Sequence, residues 1–543
     1  MGYKLLKVKL EWFGYVKRRY TIALVRNCKE LAMDGYRRDR DRKAMGDPEV
    51  SSERHRVGRS ISSFRIIPIN NDDDTPHSEG TNFSPVDSIR SIDEKKDENA
   101  NVAEEIDNWL PITESRTGNA YTAAFHLLST GLGNLAFVLP FAFTSLGWSG
   151  GIVVLTVFFA WRLYAICLLV SLHETADGTR YSRYIQLAIV AFGEKLGKCL
   201  AIFPIVYLSG GTCIMTTITG GNTLQLFYKA ICKNDQNCLD KSPSGAEWYL
   251  VFICLAILIA LFSPNLDSLA WVSFVGSIMG VSYFTILGTL SISKGRLNGV
   301  SYNPSDNVTT NMERFRDVLN GIALIAMGFR GQNLVLEIQG TLPSNPKHPT
   351  RTRMYKGVIA SYSFVAMCEF PLAIGGYWAY GNMMPENGIM VAVAKYHQES
   401  IPKGLISTIY LMVVIQCLCS FQLFVMPVFD NLERIYVSRK HKACPRWVRS
   451  CIKLLYGGLA YFMAVAFPFL ISLAKFIGGI ALPLSLVYPC FMWISIKKPK
   501  RNSLMYCLNM FLGCLGTLIT VVQVAGALWY LVVNKLDANF FNP

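Results

Sequence analysis

The residues best suited to chemistry interrupt an otherwise apolar segment, residues 317–342, with the sequence Gly328-Phe329-Arg330-Gly331-Gln332-Asn333. Breaking a helix inside a membrane leaves backbone N–H and C=O groups unpaired, which is tolerated only where they are buried in protein or line a wet cavity. The arginine adds a cost of about 2.5–3.5 kcal/mol on scales of membrane insertion. Both features disfavour a purely structural role and suit binding, so this interruption predicts a site for a polar solute inside a membrane.

Three roles are open for Arg330. It could bind the carboxylate or the acidic side chain of the solute, or its fixed positive charge could stand where a sodium ion would otherwise bind. It could also form a structural pair with Glu337 or Glu369, which lie in apolar sequence nearby. Charged groups inside membranes are functional by default but are usually paired, so the sequence alone does not choose among the three.

Transmembrane helices must position this interruption. The chain of 543 residues is 51% hydrophobic and only 17% charged, whereas soluble domains are about 25% charged, and its mean hydropathy is +0.29. These values predict an all-α polytopic membrane protein. Eleven apolar stretches are long enough to span a bilayer, and they begin near Asn119, Trp148, Leu196, Trp248, Ser268, Val318, Tyr355, Lys403, Ile452, Lys475 and Leu504.

The loops between these stretches differ in their content of Lys and Arg. Basic residues are concentrated in alternate loops, at 180–198, 347–356, 434–453 and 497–501. Basic loops stay on the cytoplasmic side, so we expect a cytoplasmic N-terminus and an extracellular C-terminus. These loops at the membrane surface explain the net charge of +15, and they favour contact with the lipid bilayer over nucleic-acid binding.

The opposite loops carry two features that suit an extracellular location. Asn307-Val308-Thr309 is a sequon for N-glycosylation. Cys232 and Cys238 lie in one loop and could form a disulfide in an oxidising compartment.

Residues 1–108 differ from the rest of the chain. From residue 70 to residue 108 the sequence is polar and acidic, and it has little apolar surface to bury, so we expect a disordered cytoplasmic extension. The first 45 residues are basic with interleaved apolar residues, and they form either an amphipathic helix on the membrane or a weakly ordered tail.

A second weak point, Ser129-Thr130-Gly131-Leu132-Gly133-Asn134, divides the first apolar span. The first and sixth spans are placed as the first members of two five-helix repeats. Corresponding interrupted spans in two halves indicate a binding site near the midplane of an inverted-repeat transporter. Half-helix N-termini there present N–H groups to an anionic group such as a carboxylate. Taken singly, Gly131 and Gly133 are more typical of close helix packing, but the matching interruption in the other repeat favours binding.

Several motifs resemble those of the plant amino acid permeases of the amino acid/auxin permease family, and in particular the lysine/histidine transporter-like subgroup. The resemblance covers residues 109–543, and its motifs are WLPITESRTGN (109–119), the run 126–148, YLSGGTCIMTTITGGNT (207–223), GQNLVLEIQ (331–339), GYWAYGN (376–382) and SFQLFVMPVFD (420–430). It implies a LeuT-like fold of eleven helices, with a 5+5 inverted repeat and broken helices 1 and 6. It also implies proton-coupled symport of amino acids across the plasma membrane.

The resemblance also indicates the residues that would bind substrate, although two motifs depart from the family pattern. Where the family commonly has Gly-Ser-Gly, this chain has Gly133-Asn134-Leu135. Where the family commonly has Tyr-Ala-Gly-His-Asn, this chain has residues 329–333, FRGQN, and the amide of Gln332 cannot act as an acid or a base. The expected substrate-binding residues are Ser129, Gly131, Gly133, Asn134, Tyr207, Thr212, Phe329, Arg330, Gly331, Gln332, Asn333 and Ser420, while Thr216 and Gln422 could complete the pocket.

Three titratable residues in apolar sequence could carry the coupled proton. His126 matches a family histidine, and histidine titrates nearest to physiological pH. Glu337 lies about one helical turn beyond Asn333, and Glu369 replaces the usual apolar or aromatic residue. Each could equally be a structural hydrogen-bonding or ion-pairing group. Arg162, in the second span, is expected to extend its charge toward the cytoplasmic surface.

The sequence contains no Walker-type glycine loop, Cys-x-x-Cys pair or His-Glu-x-x-His motif, so no enzyme activity, cofactor or metal is expected. Three functions remain. The chain is a proton-coupled carrier of amino acids, a carrier of another small carboxylate such as an auxin-like aromatic acid, or a receptor that senses its substrate without transporting it. The oligomeric state is left open.

Overall fold

The computed structural model describes residues 106–534, apart from 176–177, 233–241, 305–309, 330, 346–347, 398–399 and 468–482. Arg330, Cys238 and the sequon at Asn307 lie outside these ranges, as does nearly all of the predicted N-terminal extension. The side chains of Asn134 and Tyr207 are also outside the description.

The described chain is helical, and we number its α-helices in chain order. They are α1 (Ala120–Gly131), α2 (Leu139–Leu172), α3 (Tyr184–Phe192), α4 (Glu194–Phe203), α5 (Thr212–Cys232), α6 (Gly245–Phe262), α7 (Ala270–Ser293), α8 (Asn311–Gly328), α9 (Val335–Gly340), α10 (Thr350–Tyr380), α11 (Ile389–His397), α12 (Lys403–Lys440), α13 (Arg446–Ala466), α14 (Tyr488–Lys497) and α15 (Leu504–Asn534). Short 3₁₀ segments occur at Asn134–Val138, Asp267–Leu269, Gln332–Leu334 and Gly381–Met383, and π-helical segments at Pro204–Gly211 and Pro483–Val487.

Seven helices of the described part are long and apolar enough to cross a membrane: Leu135–Leu172, Gly245–Phe262, Asp267–Ser293, Thr350–Met383, Lys403–Lys440, Arg446–Ala466 and Leu504–Gly526. The all-helical polytopic architecture is thereby confirmed. Gly147, at φ +66°, kinks α2, which therefore contains the end of the first expected span as well as the second. The first, third and sixth expected spans contain non-α segments, and the tenth begins within residues 468–482, outside the described ranges. The count of eleven and the 5+5 repeat stay predictions.

Local sequence explains where the interrupted helices begin. Asn119 caps α1, because its Oδ1 accepts hydrogen bonds from the backbone N–H groups of Tyr121 (2.8 Å) and Thr122 (3.0 Å). Thr310 and Glu313 form the equivalent capping box at the start of α8. Such caps satisfy N–H groups that have no partner within the helix, so both interrupted spans start at defined positions.

The interrupted helices lie within the helical core. α1 packs against α10 and α7, α8 packs against α2, and α12 packs against α5 and α7. Gly276 of α7 permits close approach, because a Cβ there would lie 2.6 Å from Ser129 Oγ and 2.7 Å from Cys419 Cβ. Small residues allow such backbone contact between membrane helices.

A buried ion-pair network, the Arg183 cluster, fastens the segment before α1 to α12. It consists of Arg183, Asp430, Asp107 and Thr113. Arg183 Nε and Nη2 lie 2.5 and 3.1 Å from the two carboxylate oxygens of Asp430, and Nη1 lies 2.6 Å from Asp107 Oδ1. Nη2 also donates to Thr113 Oγ1 at 3.2 Å. Burial opposes the charge of Arg183, but the Asp430 and Asp107 carboxylates outweigh this effect and raise its pKa above the ordinary value.

Candidate functional site

The interruption of α1 lies where the sequence predicts it. The chain leaves the α conformation at Leu132 (ψ 89°) and Gly133 (φ −108°, ψ 156°) before the 3₁₀ segment begins. In a continuous α-helix the N–H of Gly133 would bond to the carbonyl of Ser129. The break therefore frees carbonyl oxygens at the C-terminal end of α1, which carries the negative end of the helix dipole.

Two side chains of α12 satisfy these freed carbonyls. Gln416 Nε2 lies 3.0 Å from the carbonyl oxygen of Ser129 and 2.7 Å from that of Leu132. Ser420 Oγ donates to the Ser129 carbonyl at 3.0 Å and lies 2.8 Å from Gln416 Nε2. Ser129 and Ser420, both expected to bind substrate, thus meet at the break, and Gln416 joins them.

The interruption of α8 directly contacts that of α1. Phe329 is extended (φ −87°, ψ 112°), and Gly331 has φ +85° before the chain resumes at Gln332. A Cβ on Gly331 would lie only 2.6 Å from Thr130 Oγ1. Thr130 is itself held, because its hydroxyl donates to the carbonyl of His126 at 2.8 Å. The two interruptions therefore meet at Gly331 and Thr130.

Gly331→Ala is expected to destabilise the protein by about 1–3 kcal/mol, because a non-glycine residue is strained at positive φ and the new methyl group collides with Thr130. Binding of the solute should weaken with it. Thermal unfolding of the purified protein and solute titration measure both effects. Gly404→Ala is the control, since Gly404 lies in an exposed part of α12 with nothing within 4 Å of a Cβ, and it should leave both measurements nearly unchanged. Equal behaviour of the two variants would contradict the tight contact.

Arg162 occupies a different place from the one the sequence suggests. The expectation that its charge reaches the membrane surface is wrong, because Arg162 is buried, with 6% of its surface exposed, and Nη2 donates to the carbonyl oxygen of Ala326 at 2.6 Å. In a continuous helix that carbonyl would pair with the N–H of residue 330. Gln332 Nε2 in turn donates to the carbonyl of Arg162 at 3.3 Å. The guanidinium thus satisfies the C-terminal end of α8.

Glu369 lies near this guanidinium. It is fully buried on α10, and neither carboxylate oxygen has a hydrogen-bond partner among the described residues. Arg162 is close enough to act on it electrostatically, but the two side chains form no ion pair within 4 Å. Aromatic rings surround this region, since the ring of Phe159 lies 5.6 Å from Phe370 and 5.8 Å from Phe329. Among the described residues, Arg162 is the charged side chain that acts on this carboxyl.

The other two candidates for proton coupling have different surroundings. His126 is fully buried, and its Nδ1 lies 2.6 Å from Ser273 Oγ on α7, while Nε2 has no partner within the described chain. Glu337 accepts a hydrogen bond from the backbone N–H of Tyr184 at 3.2 Å through Oε1. Both are partly satisfied by neutral groups, unlike Glu369.

The third expected span contacts the α8 interruption through Ser209. Asn333 Nδ2 donates to Ser209 Oγ at 3.2 Å, within the π-helical segment Pro204–Gly211. Thr212 is only half-buried, and Thr216 donates to its carbonyl at 2.7 Å. Gln422, a further pocket candidate, donates to the carbonyl of Ala256 in α6 at 2.7 Å. Thr216 and Gln422 thus make contacts within or between helices rather than at the interruptions.

Sequence reasoning missed Gln416 and Ser209 and misplaced Arg162. A spacing of four residues puts Gln416 on the same face of α12 as Ser420, and Ser209 precedes two glycines in a non-α segment. Both patterns can be read from the sequence, but they indicate a site only when the helix packed against each residue is known.

Cys232 is disulfide-bonded, but its expected partner, Cys238, lies outside the described residues, so the pairing stays a prediction. Across the described ranges, no group of three or more His, Cys, Asp or Glu side chains could hold a metal ion.

Comparisons with known proteins identify the family. Residues 116–531 match the family model described as transmembrane amino acid transporter protein. Lysine histidine transporter-like 8 of Arabidopsis thaliana is 46% identical over 437 residues, covering 80% of this chain and 83% of the relative. Lysine histidine transporter-like 7 of the same species is 43% identical, covering 81% and 90% respectively.

Solved structures share the fold at low identity. The structure of MhsT in complex with L-phenylalanine has a TM-score of 0.50 and 11% identity, covering 75% of this chain and 98% of that one. A manganese transporter of Eremococcus coleocola also has a TM-score of 0.50, at 12% identity, covering 78% and 88%. These neighbours support a LeuT-like helical fold and nothing finer. From its family match and relatives, the chain belongs to the transmembrane amino acid transporter proteins, which are carriers rather than enzymes.

Proposed function

We propose that this chain is a proton-coupled symporter that carries amino acids across the plasma membrane. The observation that carries the proposal is the contact between two helix interruptions, with the buried Arg162 guanidinium and the buried Glu369 carboxyl close by. Family membership supports the solute class, and the names of the lysine histidine transporter-like relatives support amino acids as the first solutes to test.

The interruptions suit the two charged ends of an amino acid. We assign the N–H groups at the start of Asn134–Val138 and Gln332–Leu334 as the donors for its carboxylate. The negative end of the α1 dipole favours an ammonium group, although Gln416 and Ser420 already hold the Ser129 and Leu132 carbonyls. Gln332 Oε1 is buried and has no partner among the described residues, so it is an acceptor for the ammonium. Arg330 keeps its three proposed roles, since it lies outside the description.

Glu369 is the strongest of the three candidates for the coupled proton. Gain or loss of one proton changes the net charge of the Arg162–Glu369 pair by one unit, inside an apolar region where electrostatic effects are strong. Arg162 also holds the carbonyl of Ala326 at the α8 interruption. Protonation of Glu369 therefore alters the attraction on a guanidinium that supports the broken helix, which links the proton to the solute site.

The orientation is part of the proposal. The basic loops favour a cytoplasmic N-terminus and an extracellular C-terminus. The disulfide of Cys232, at the end of α5, agrees with an oxidising compartment on the opposite side from those loops.

Uptake by purified protein in liposomes tests the function. An imposed inward proton gradient in sodium-free buffer should drive accumulation of a labelled amino acid, and a protonophore should abolish it. Competition by basic, neutral and acidic amino acids and by aromatic acids then defines the solute. Binding without flux would instead support a receptor, and inhibition by aromatic acids alone would support a carboxylate carrier. Accumulation that requires sodium would refute proton coupling.

A further inference from the structure

Three oxygen atoms converge on one side-chain nitrogen at the interruption of α1. Gln416 Nε2 lies 2.7 Å from the Leu132 carbonyl, 2.8 Å from Ser420 Oγ and 3.0 Å from the Ser129 carbonyl. Gln416 is buried, with 2% of its surface exposed. On α7, a Cβ at Gly280 would lie 3.8 Å from Gln416 Cγ and 3.3 Å from Leu132 Cδ1, so the helix wall closely encloses this group.

The hydrogen bonds of this group balance without any further partner. An amide nitrogen has two N–H donors, and a serine hydroxyl has one O–H donor. One N–H reaches the Leu132 carbonyl, the other reaches Ser420 Oγ, and the Ser420 hydroxyl donates to the Ser129 carbonyl at 3.0 Å. All three oxygens are therefore satisfied by neutral donors within the protein.

In transporters with discontinuous helices, freed carbonyls at half-helix C-terminal ends coordinate the driving cation. Here the same kind of oxygen set surrounds an amide nitrogen. We propose that the Gln416 amide takes the place of a driving cation at the α1 interruption, so this site works without sodium. The inference rests on the proposed function, because it specifies which ion does not drive the proposed carrier.

Gln416→Glu provides the test, since it replaces the N–H donors by a group of nearly the same shape. An ionised carboxylate would face the Ser129 and Leu132 carbonyls and repel them, whereas a sodium ion between these oxygens would relieve the repulsion. Because a ligand that binds the folded state stabilises it, we expect sodium to raise the apparent melting temperature of Gln416→Glu in a saturable manner. Wild type should melt at the same temperature in sodium and in N-methylglucamine, and its proton-driven uptake should be independent of sodium.

Gln422→Glu is the matched control. Gln422 lies on the same helix and is equally buried, but its amide donates to one carbonyl, that of Ala256, at 2.7 Å. Without the three-oxygen set, this variant should show no specific response to sodium. Gln416→Ala is the second variant if Gln416→Glu does not yield folded protein, because it leaves the oxygens around an open space that sodium can enter.

Sodium stabilisation of Gln416→Glu or Gln416→Ala, absent in wild type and in Gln422→Glu, supports the inference. It is overturned if wild type is stabilised by sodium, if Gln422→Glu responds equally, or if the Gln416 variants fold but ignore sodium. The melting measurement requires no transport. A failure of proton-driven uptake would therefore refute the proposed function, but the effect of sodium on the melting temperature could still be interpreted.

Discussion

Asp430→Ala is expected to lower the free energy of unfolding by about 3–5 kcal/mol, since it leaves a buried arginine without its main partner. The Arg183 and Asp430 side chains are only 3% and 0% exposed and make two close contacts with each other. In the wild type the Asp430 and Asp107 carboxylates outweigh the effect of burial on the pKa of Arg183, so the variant leaves a buried guanidinium with Asp107 as its remaining carboxylate partner. Denaturant-induced unfolding in mixed micelles measures the loss.

An exposed ion pair provides the control for Asp430→Ala. Glu194 and Lys198 lie one turn apart at 2.8 Å, with side chains 42% and 37% exposed, and such pairs contribute about 0–1 kcal/mol. Glu194→Ala should therefore have a small effect. The double variant Arg183→Met/Asp430→Leu should recover much of the lost stability, because it removes both buried charges. A loss in Asp430→Ala no larger than in Glu194→Ala would show that the Arg183 cluster does not stabilise the fold.

Glu369→Gln is expected to lower proton-driven accumulation of the amino acid. The steady-state concentration ratio across the membrane should fall by about tenfold or more. Glutamine keeps the size of the side chain, but its amide does not gain or lose a proton at physiological pH. Exchange of labelled for unlabelled amino acid at equal pH should continue, because exchange requires solute binding and movement without net proton flux. Both measurements use the same proteoliposomes, with and without an imposed pH gradient.

The split between accumulation and exchange separates coupling from structure. If Glu369 only stabilises Arg162, accumulation and exchange should fall together, and the melting temperature should fall with them. Glu337→Gln is the matched comparison, since Glu337 is also buried but accepts a hydrogen bond from the backbone of Tyr184. Loss of accumulation with retained exchange in Glu337→Gln, but not in Glu369→Gln, would transfer the coupling role to Glu337.

Both helix interruptions could be predicted from sequence because their causes are local. Glycine and polar residues within an apolar span record a break at that position, as at Gly328–Asn333 and Ser129–Asn134. The polytopic class followed equally directly from composition. The partners of the broken ends could not be predicted in this way.

Those partners depend on the rotation and crossing of helices far apart in the chain. Arg162 donates to a carbonyl 164 residues away, and Gln416 to one 284 residues away. An arginine in an apolar span is compatible with surface extension or with burial, and only the packing of α2 against α8 decides between them. From sequence, Arg330 is one expected charged neighbour of Glu369. In the structure, Arg162 acts on Glu369 as well.

The side chains that donate hydrogen bonds at the two interruptions, Gln416 and Arg162, bear on which charges the membrane voltage acts on during transport. If the Gln416 amide takes the place of a driving cation, as proposed, no sodium ion crosses the membrane with the solute. In the proposed symporter, the transported charges on which the voltage acts would then be those of the proton and the solute. Each elementary charge that crosses is worth about 2.3 kcal/mol per 100 mV, or about fortyfold in concentration ratio. An interior-negative potential would therefore concentrate a cationic amino acid more strongly than a zwitterion carried with the same number of protons.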